Sequence, residues 1–375
     1  MDRIKKYLKQ YTDQLVFITL ETNRTQSRKD ISFLRDIPLP VAVQKISSQI
    51  KKDNQENIPF EAFIEGIIQV MGVDKDFKYN SEYIRFLSMS NEHIEDYILY
   101  HGLRLAEEGE YLDAVVYFRA VLSIDENNLS ALYNYGKCCR DIFDTSKDIK
   151  EKKDFKLEAI RIFEITAEKF PEFPASYYYL GFFYLNQKLF EKAQITWKKY
   201  LEISDDQEKI DEIEINLKRM EDQVLYEKGY NNVLNGKFEK GLGILLPLEK
   251  KHSQWWNLLF FIGLAYRNLE EYGKAIDYFR KVLQNKPSQT DAMNELGICY
   301  STVFDFENAE KYFKKALLLK NDDHEILSNL AVVYINMGNI KEAEECLTKA
   351  LEISPNDEVA LHWMEKLKEI RNKNH

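Results

Sequence analysis

The chain has 375 residues and a net charge of −10, with 45% hydrophobic and 30% charged residues. Gly and Pro number only 14 and 8, which excludes a loop-rich or disordered chain and indicates a folded, soluble protein. The acidic excess lies after residue 92, because residues 1–92 are nearly neutral. An acidic surface repels phosphate backbones, so we expect no nucleic-acid partner.

Residues 1–92 show helical spacing of apolar residues in three stretches. The first contains Ile4, Leu8, Tyr11, Leu15 and Ile18; the second contains Val43, Ile46 and Ile50; the third begins at Pro59 and ends near Gly72. These patterns predict a small all-α N-terminal region that caps the rest of the chain, with a separate interaction domain as the alternative. Basic residues near Ile4 also allow a membrane-surface helix over residues 1–20. An ordinary packed helix is the preferred interpretation, and we do not expect a membrane partner.

From about residue 95 onward, residue types recur at intervals of 34. The clearest columns are Ala275, Ala309 and Ala343; Gly229, Gly263, Gly297 and Ala331; and Tyr266, Tyr300 and Tyr334. Their spacings within a unit belong to one face of an α-helix, so each unit is predicted to be two helices joined by a short turn. Small residues inside a helix indicate a close crossing of the two backbones, with an aromatic column filling the space beside it.

This pattern resembles the tetratricopeptide repeat (TPR) family, whose motif is matched by Leu259, Ile262, Gly263, Tyr266, Ala275, Phe279, Val282 and Pro287. The resemblance covers residues 95–357 in about seven repeats. It implies an all-α fold, a right-handed superhelical solenoid of antiparallel helix hairpins. It also implies a concave groove that binds partner proteins.

The frame is interrupted twice, which divides the chain into segments. Ala159 follows Ala114 by 45 residues rather than 34, so three repeats over 93–205 carry an insertion at about 143–155. That insertion is charge-rich and is predicted to be a helix extension or a solvated loop. An extra helical segment is predicted over 206–221. The pattern also allows this segment to be fused with the first helix of the next repeat. Four repeats then occupy 222–357, and a capping helix and tail occupy 358–375.

Chemical motifs are not evident. The six histidines form no metal-binding pair, no glycine-rich phosphate loop follows a strand, and the four cysteines lack metal-ligand spacing. We therefore expect a non-enzymatic protein with no catalytic residues, no metal and no cofactor. No signal peptide or transmembrane span is evident, and unpaired cysteines are typical of a reducing compartment, so a cytoplasmic location is expected.

In the TPR register, the first helices of successive repeats line the groove, which makes this the predicted partner-binding site. The candidate residues are Tyr133, Lys137, Tyr178, Phe182, Tyr226, Tyr230, Phe260, Leu264, Arg267, Asn294 and Ile298. The aromatic members form a predicted stripe that is either open to a partner or covered by neighbouring residues or by the N-terminal region.

The predicted function is a scaffold or adaptor that binds a peptide or helix of a partner protein in this groove. One alternative is a regulatory protein in which residues 1–92 are the effector and the repeats sense a partner. The other alternative is a membrane-surface assembly factor that uses residues 1–20. The sequence predicts neither the partner nor the oligomeric state.

Overall fold

The computed structural model describes residues 2–19, 32–42 and 58–373. Within these ranges, the N-terminal region contains three helices, a short 3-10 turn and two strands. These are α1 (Lys5–Asp13), β1 (Leu15–Ile18), the 3-10 turn (Ser32–Leu34), β2 (Leu39–Ala42), α2 (Phe60–Val73) and α3 (Asn80–Ser90). The helix predicted around Val43, Ile46 and Ile50 lies outside the described residues.

Sixteen helices follow, and fourteen of them form seven hairpins, each a first helix packed on a second. The first three hairpins are α4 (Ile94–Glu107) with α5 (Tyr111–Ile124), α6 (Leu129–Thr145) with α7 (Ile149–Lys169), and α8 (Pro174–Asn186) with α9 (Phe190–Ile203). After α10 (Gln207–Arg219), four more are α11 (Glu221–Leu234) with α12 (Phe238–Lys251), α13 (Trp256–Asn268) with α14 (Tyr272–Asn285), α15 (Thr290–Thr302) with α16 (Phe306–Leu319), and α17 (His324–Met337) with α18 (Ile340–Ile353); α19 (Glu358–Lys373) comes last. The prediction of an all-α fold built from successive helix hairpins is confirmed.

The glycines of the repeat frame leave room for a ring from the second helix of the same hairpin. A Cβ on Gly297 would lie 2.5 Å from Cε1 of Phe313, and one on Gly263 would lie 2.8 Å from Cε1 of Phe279. Both rings are fully buried. The small residue therefore accommodates the aromatic side chain itself, whereas the sequence pattern suggested a crossing of bare backbones with the ring beside it.

The N-terminal region is not purely helical. The helix predicted from Ile4 to Ile18 ends at Asp13, and residues Leu15–Ile18 form a strand antiparallel to Leu39–Ala42, with Leu15 opposite Ala42. A run of Leu, Val, Phe and Ile suits a strand because branched and aromatic side chains pack well on a pleated surface. Its apolar positions also fit a helix, and the pairing strand lies more than 20 residues away, so local spacing was a poor guide.

The N-terminal region contacts both helices of repeat 1 and the second helix of repeat 2. Arg119 of α5 is 8% exposed and reaches back to this region. Its Nε donates to the carbonyl of Gly72 at 2.5 Å, Nη2 donates to Oδ2 of Asp2 at 2.5 Å, and Nη1 donates to Oη of Tyr135 at 3.1 Å. Burial raises the pKa of Asp2, but the hydrogen bond and charge of Arg119 hold it below its ordinary value overall.

The insertion in repeat 2 lengthens both helices of its hairpin, since α6 and α7 have 17 and 21 residues against 13 or 14 in the other hairpins. The added part of α7 contacts α1. Asp154 accepts hydrogen bonds from Nζ of Lys6 at 2.6 Å and from Oη of Tyr7 at 2.9 Å, and the rings of Tyr7 and Phe155 are 5.3 Å apart. Ile4 and Leu8, the apolar face of α1, are fully buried in protein. That face is therefore not available to a membrane surface.

Two compact units, residues 1–213 and 214–375, make up the chain, and their boundary lies within α10. We call them the first and second units. The extra helix is not fused with the next repeat, because α10 ends at Arg219 and α11 begins at Glu221. Across the described parts of both units, no helix combines the length and the apolarity needed to cross a bilayer.

Candidate partner-binding face

The first helices of the second unit lie side by side. Each of α11, α13, α15 and α17 contacts the first helix of the next repeat or α19. Side chains also join them, since Nε of Arg267 on α13 lies 3.2 Å from a carboxylate oxygen of Glu295 on α15. Asn329 on α17 in turn donates through Nδ2 to Oδ1 of Asn294 on α15 at 3.2 Å. These helices form one continuous surface, which we call the first-helix face of the second unit.

All eleven predicted groove residues are half-buried, so none is closed into the core and none is fully exposed. Seven belong to the second unit: Tyr226, Tyr230, Phe260, Leu264, Arg267, Asn294 and Ile298. The other four belong to the first unit: Tyr133, Lys137, Tyr178 and Phe182. An aromatic stripe that continues from Tyr178 through Tyr226 to Phe260 remains a prediction, because its members lie in separate units.

Aromatic rings cluster on the second unit where α11 meets α13. The Tyr226 ring lies 4.5 Å from that of Trp255 and 5.2 Å from that of Tyr230. The Tyr230 ring stacks on Phe261 at 5.2 Å, and Phe260 lies against the buried Phe279 at 5.7 Å. We call Tyr226, Tyr230, Trp255, Phe260 and Phe261 the aromatic cluster. Sequence reasoning missed Trp255 and Phe261, although Trp255 directly precedes α13 and Phe261 follows a predicted residue.

The first unit presents its groove residues differently. Tyr178 donates through Oη to Glu212 of α10 at 2.7 Å, and its ring contacts Phe182 at 5.1 Å. Phe182 packs edge-on against Trp197 at 4.9 Å. The extra helix therefore lies against repeat 3 and engages the hydroxyl of Tyr178.

Lys137 and Tyr133 form a smaller group on α6. The ammonium of Lys137 lies 5.7 Å from the ring centre of Tyr133, which also meets Phe173 at 5.3 Å. These ring partners belong to repeats 2 and 3, whereas the N-terminal region contacts α4, α5 and α7. Among the described residues, no N-terminal side chain has a hydrogen bond or a ring contact with Tyr133 or Lys137.

Arg267, the charged member of the predicted groove residues in the second unit, is paired with Glu295. Burial raises the pKa of Glu295, while the nearby Arg267 opposes that rise. Asn294 and Asn329 are neutral, so the predicted groove residues of this unit and their partners supply rings, amides and one ion pair. Within the ranges that the structure covers, no three His, Cys, Asp or Glu side chains are grouped as a metal site would require.

Beside the aromatic cluster, a carboxylate joins α11 to the loop before α13. Asp222 accepts a hydrogen bond from Nε2 of His252 at 2.7 Å and one from Nζ of Lys251 at 3.2 Å. The His252 bond is the main reason that the pKa of Asp222 is below its ordinary value of 3.8, and the Lys251 bond adds to it. Residues Lys251–Trp255, at the end of α12 and in the loop that follows it, line an open surface pocket of about 360 Å³.

Acid should weaken this attachment. A carboxylate whose pKa is lowered by folding stabilises the fold above its unfolded pKa, and that contribution is lost as pH falls through the lowered value. We expect Asp222→Asn to lower the melting temperature at pH 6, and the difference from the wild type to shrink as pH falls below about 3.8. Circular dichroism melts between pH 6 and pH 2.5 measure this. A difference that stays constant across the range would contradict the role assigned to Asp222.

Paired helices repeated along the chain, with small residues beneath aromatic rings, define a helical-repeat protein. Models of the tetratricopeptide repeat match residues 256–289 and 304–366. These two stretches of the chain are therefore tetratricopeptide repeats, in agreement with the 34-residue frame. No sequence among curated proteins matches it significantly.

Similar solved structures include the Cut9–Hcn1 hetero-tetramer of the APC/C, 17% identical, covering 87% of this chain and 67% of that chain at a TM-score of 0.43. YrrB, described as a TPR protein with an unusual peptide-binding site, is 15% identical, covering 66% of this chain and 97% of that chain at 0.29. The TPR domain of Sgt2 from Aspergillus fumigatus is 24% identical, covering 32% and 81% at 0.31. These likenesses are too distant to transfer a site or a partner.

Proposed function

We propose that this chain is a non-enzymatic scaffold or adaptor, and that the first-helix face of its second unit binds a peptide or helix of a partner protein. The observation that carries the proposal is the half-burial of the aromatic cluster. Rings that served only the core would be closed off, as Phe279 and Phe313 are. Tyr226, Tyr230 and Phe260 instead keep part of each ring exposed on a surface formed by regular helices.

The chemistry of the face favours a largely apolar ligand. Burying the remaining ring surface gains about 25 cal/mol for each Å² removed from water, and rings held by neighbouring rings lose little side-chain entropy on binding. Arg267 is paired with Glu295, so a ligand that covers these two side chains would not have to desolvate an unpaired charge. Asn294 and Asn329 can exchange hydrogen bonds with the backbone of an extended segment. We therefore infer a ligand with apolar or aromatic side chains, bound as a strand-like peptide or an amphipathic helix.

The test is a double substitution in the full chain, Tyr230→Ala with Phe260→Ala. Because buried aromatic anchors carry much of the binding energy at such surfaces, we expect recovery of the specific partner to fall at least tenfold. Tagged wild type and variant are compared by affinity capture from a native extract with quantitative mass spectrometry. The captured protein is then titrated against both purified chains.

Matched exposed positions on second helices provide the control. Ile195→Ala with Leu318→Ala removes two exposed apolar side chains that are not on first helices, and recovery should be unchanged. If the groove variant captures its partner as well as the wild type does, while its melting temperature is preserved, the proposal fails. A large loss of melting temperature in the groove variant would assign the rings to the core instead.

A cytoplasmic location is also proposed, on the basis of the cysteines. Cys138, Cys139 and Cys299 are buried free thiols and Cys346 is a half-buried one. Such use of cysteine is typical of proteins kept in a reducing compartment.

A further inference from the structure

The turn between the two helices of a hairpin requires a left-handed residue at one fixed position. In six of the seven hairpins a residue with φ between +61° and +85° occupies it: Gly109, Lys188, Gly236, Glu270, Phe304 and Gly338. The last four are spaced 34 residues apart. Glycine adopts this conformation freely, whereas a residue with a Cβ is strained there.

Phe304 is the least expected member of this set. Large aromatic side chains are rare at positive φ, and this one is 79% exposed to solvent. Its only described ring contact is an edge-on approach to Phe306 at 6.1 Å. Phe304 therefore combines backbone strain with an exposed apolar side chain. Gly236 and Gly338 form the same turn in other repeats without backbone strain and without an exposed apolar side chain. Strain kept at an exposed position is a reason to look for a function there.

The surroundings of Phe304 extend the apolar surface. Val303 is 44% exposed, and Leu269, which is half-buried, occupies the equivalent position one repeat earlier. Because both precede the left-handed residue of their turns, they lie on the same edge of the second unit. We call Leu269, Glu270, Val303, Phe304 and Glu307 the tip edge.

The charge on this edge is negative. Glu270 and Glu307 are exposed, and among the described residues neither carboxylate has a hydrogen bond or an ion pair. Asp305 begins α16, where its carboxylate accepts from the backbone N–H of Asn308 at 3.2 Å. The nearby Lys274 is already paired with Glu271. A ligand that covers Phe304 would thus meet carboxylates around an apolar centre.

We propose that the tip edge is a second docking surface, distinct from the first-helix face, and that it takes a partner segment with an apolar face flanked by Lys or Arg. Phe304 is the anchor that enters the apolar face of that segment. Glu270 and Glu307 select the flanking cations, because charges at the rim of an interface contribute mainly to partner choice. The strained backbone holds the ring outward from the turn.

The test uses the full chain and a fluorescent 18-residue helical peptide with leucine on one face and lysine on the other. Fluorescence anisotropy should show that the wild type binds this peptide and that Phe304→Gly weakens binding at least tenfold. Exchanging the lysines for glutamates should abolish binding. The melting temperature of Phe304→Gly should be no lower than that of the wild type, since glycine relieves the strained φ.

Two controls make the result specific. Lys188→Gly makes the same backbone change in repeat 3 and should leave peptide binding unchanged. Tyr230→Ala with Phe260→Ala should also leave it unchanged, which separates the tip edge from the first-helix face. The proposal is overturned if the wild type does not bind the leucine–lysine peptide, or if Phe304→Gly binds it equally well. It is likewise overturned if the groove variant loses the binding, or if Phe304→Gly melts at a lower temperature.

Discussion

Replacing Arg119 with methionine should destabilise the first unit by about 3–5 kcal/mol, the range found when one partner of a buried ion pair is removed. Methionine fills a similar volume but removes the Arg119 donor from Oδ2 of Asp2, from the carbonyl of Gly72 and from Oη of Tyr135. Tyr135 in turn donates to the buried carboxylate of Glu158 at 2.6 Å, so the disturbance reaches repeat 2. Urea unfolding followed by circular dichroism measures the change.

The matched control for this effect is Arg104→Met. Arg104 forms an i,i+4 ion pair with Glu108 in which both side chains are more than half exposed. Exposed pairs contribute about 0–1 kcal/mol, so the control should unfold almost as the wild type does. Equal losses in the two variants would show that the buried contacts of Arg119 do not hold the N-terminal region in place.

Gly297→Leu should destabilise the second unit by about 2–3 kcal/mol. Even a Cβ at this position would lie 2.5 Å from the Phe313 ring, which is 1% exposed. Forcing extra atoms into a packed core usually costs about 1–3 kcal/mol, and leucine adds more than the Cβ considered above. The midpoint of urea unfolding is the measurement.

Gly273→Leu is the opposite case in the same kind of repeat. Gly273 lies in α14, and a Cβ there would have nothing within 4 Å. Leucine is a better helix former than glycine by up to about 1 kcal/mol, so this variant should be as stable as the wild type or more stable. If the two substitutions changed stability in the same direction, steric fit beneath the aromatic ring would not be what keeps glycine at position 297.

The sequence alone was sufficient to predict the seven hairpins, because the residues that specify each hairpin lie close together in the chain. Gly263 and Phe279 are 16 residues apart, and the same spacing separates Gly297 from Phe313, so one hairpin contains both members of each contact. Repetition then adds independent copies of the same pattern. Each glycine that accommodates an aromatic ring therefore recurs together with that ring from one repeat to the next.

The N-terminal region could not be predicted in the same way, because its contacts are distant in sequence. Asp2 meets Arg119 across 117 residues, and Lys6 meets Asp154 across 148. Nothing in the local spacing of Leu15–Ile18 indicates a strand whose partner begins at Leu39. The insertion in repeat 2 was predicted as an extension or a loop, and its contact with α1 depends on a helix that lies outside the repeat.

The candidate site shows a similar division. The frame placed Tyr226, Tyr230 and Phe260 on first helices, and all three are half-buried there. Trp255 was missed because it lies in a loop that the repeat motif does not constrain, yet its ring is 4.5 Å from Tyr226. Phe304 was missed because exposure at a strained turn position is a property of three-dimensional structure, not of apolar spacing.

The lengthened hairpin of repeat 2 has a consequence for redesign. Trimming it to the regular 34-residue period would look like an improvement in a consensus array, but it would remove the stretch that carries Asp154 and Phe155. The start of the chain would then lose its ion pair and its ring contact with repeat 2. The extra length of repeat 2 thus has a structural role, because it contacts the N-terminal helix. Engineering that standardises the repeats has to preserve it.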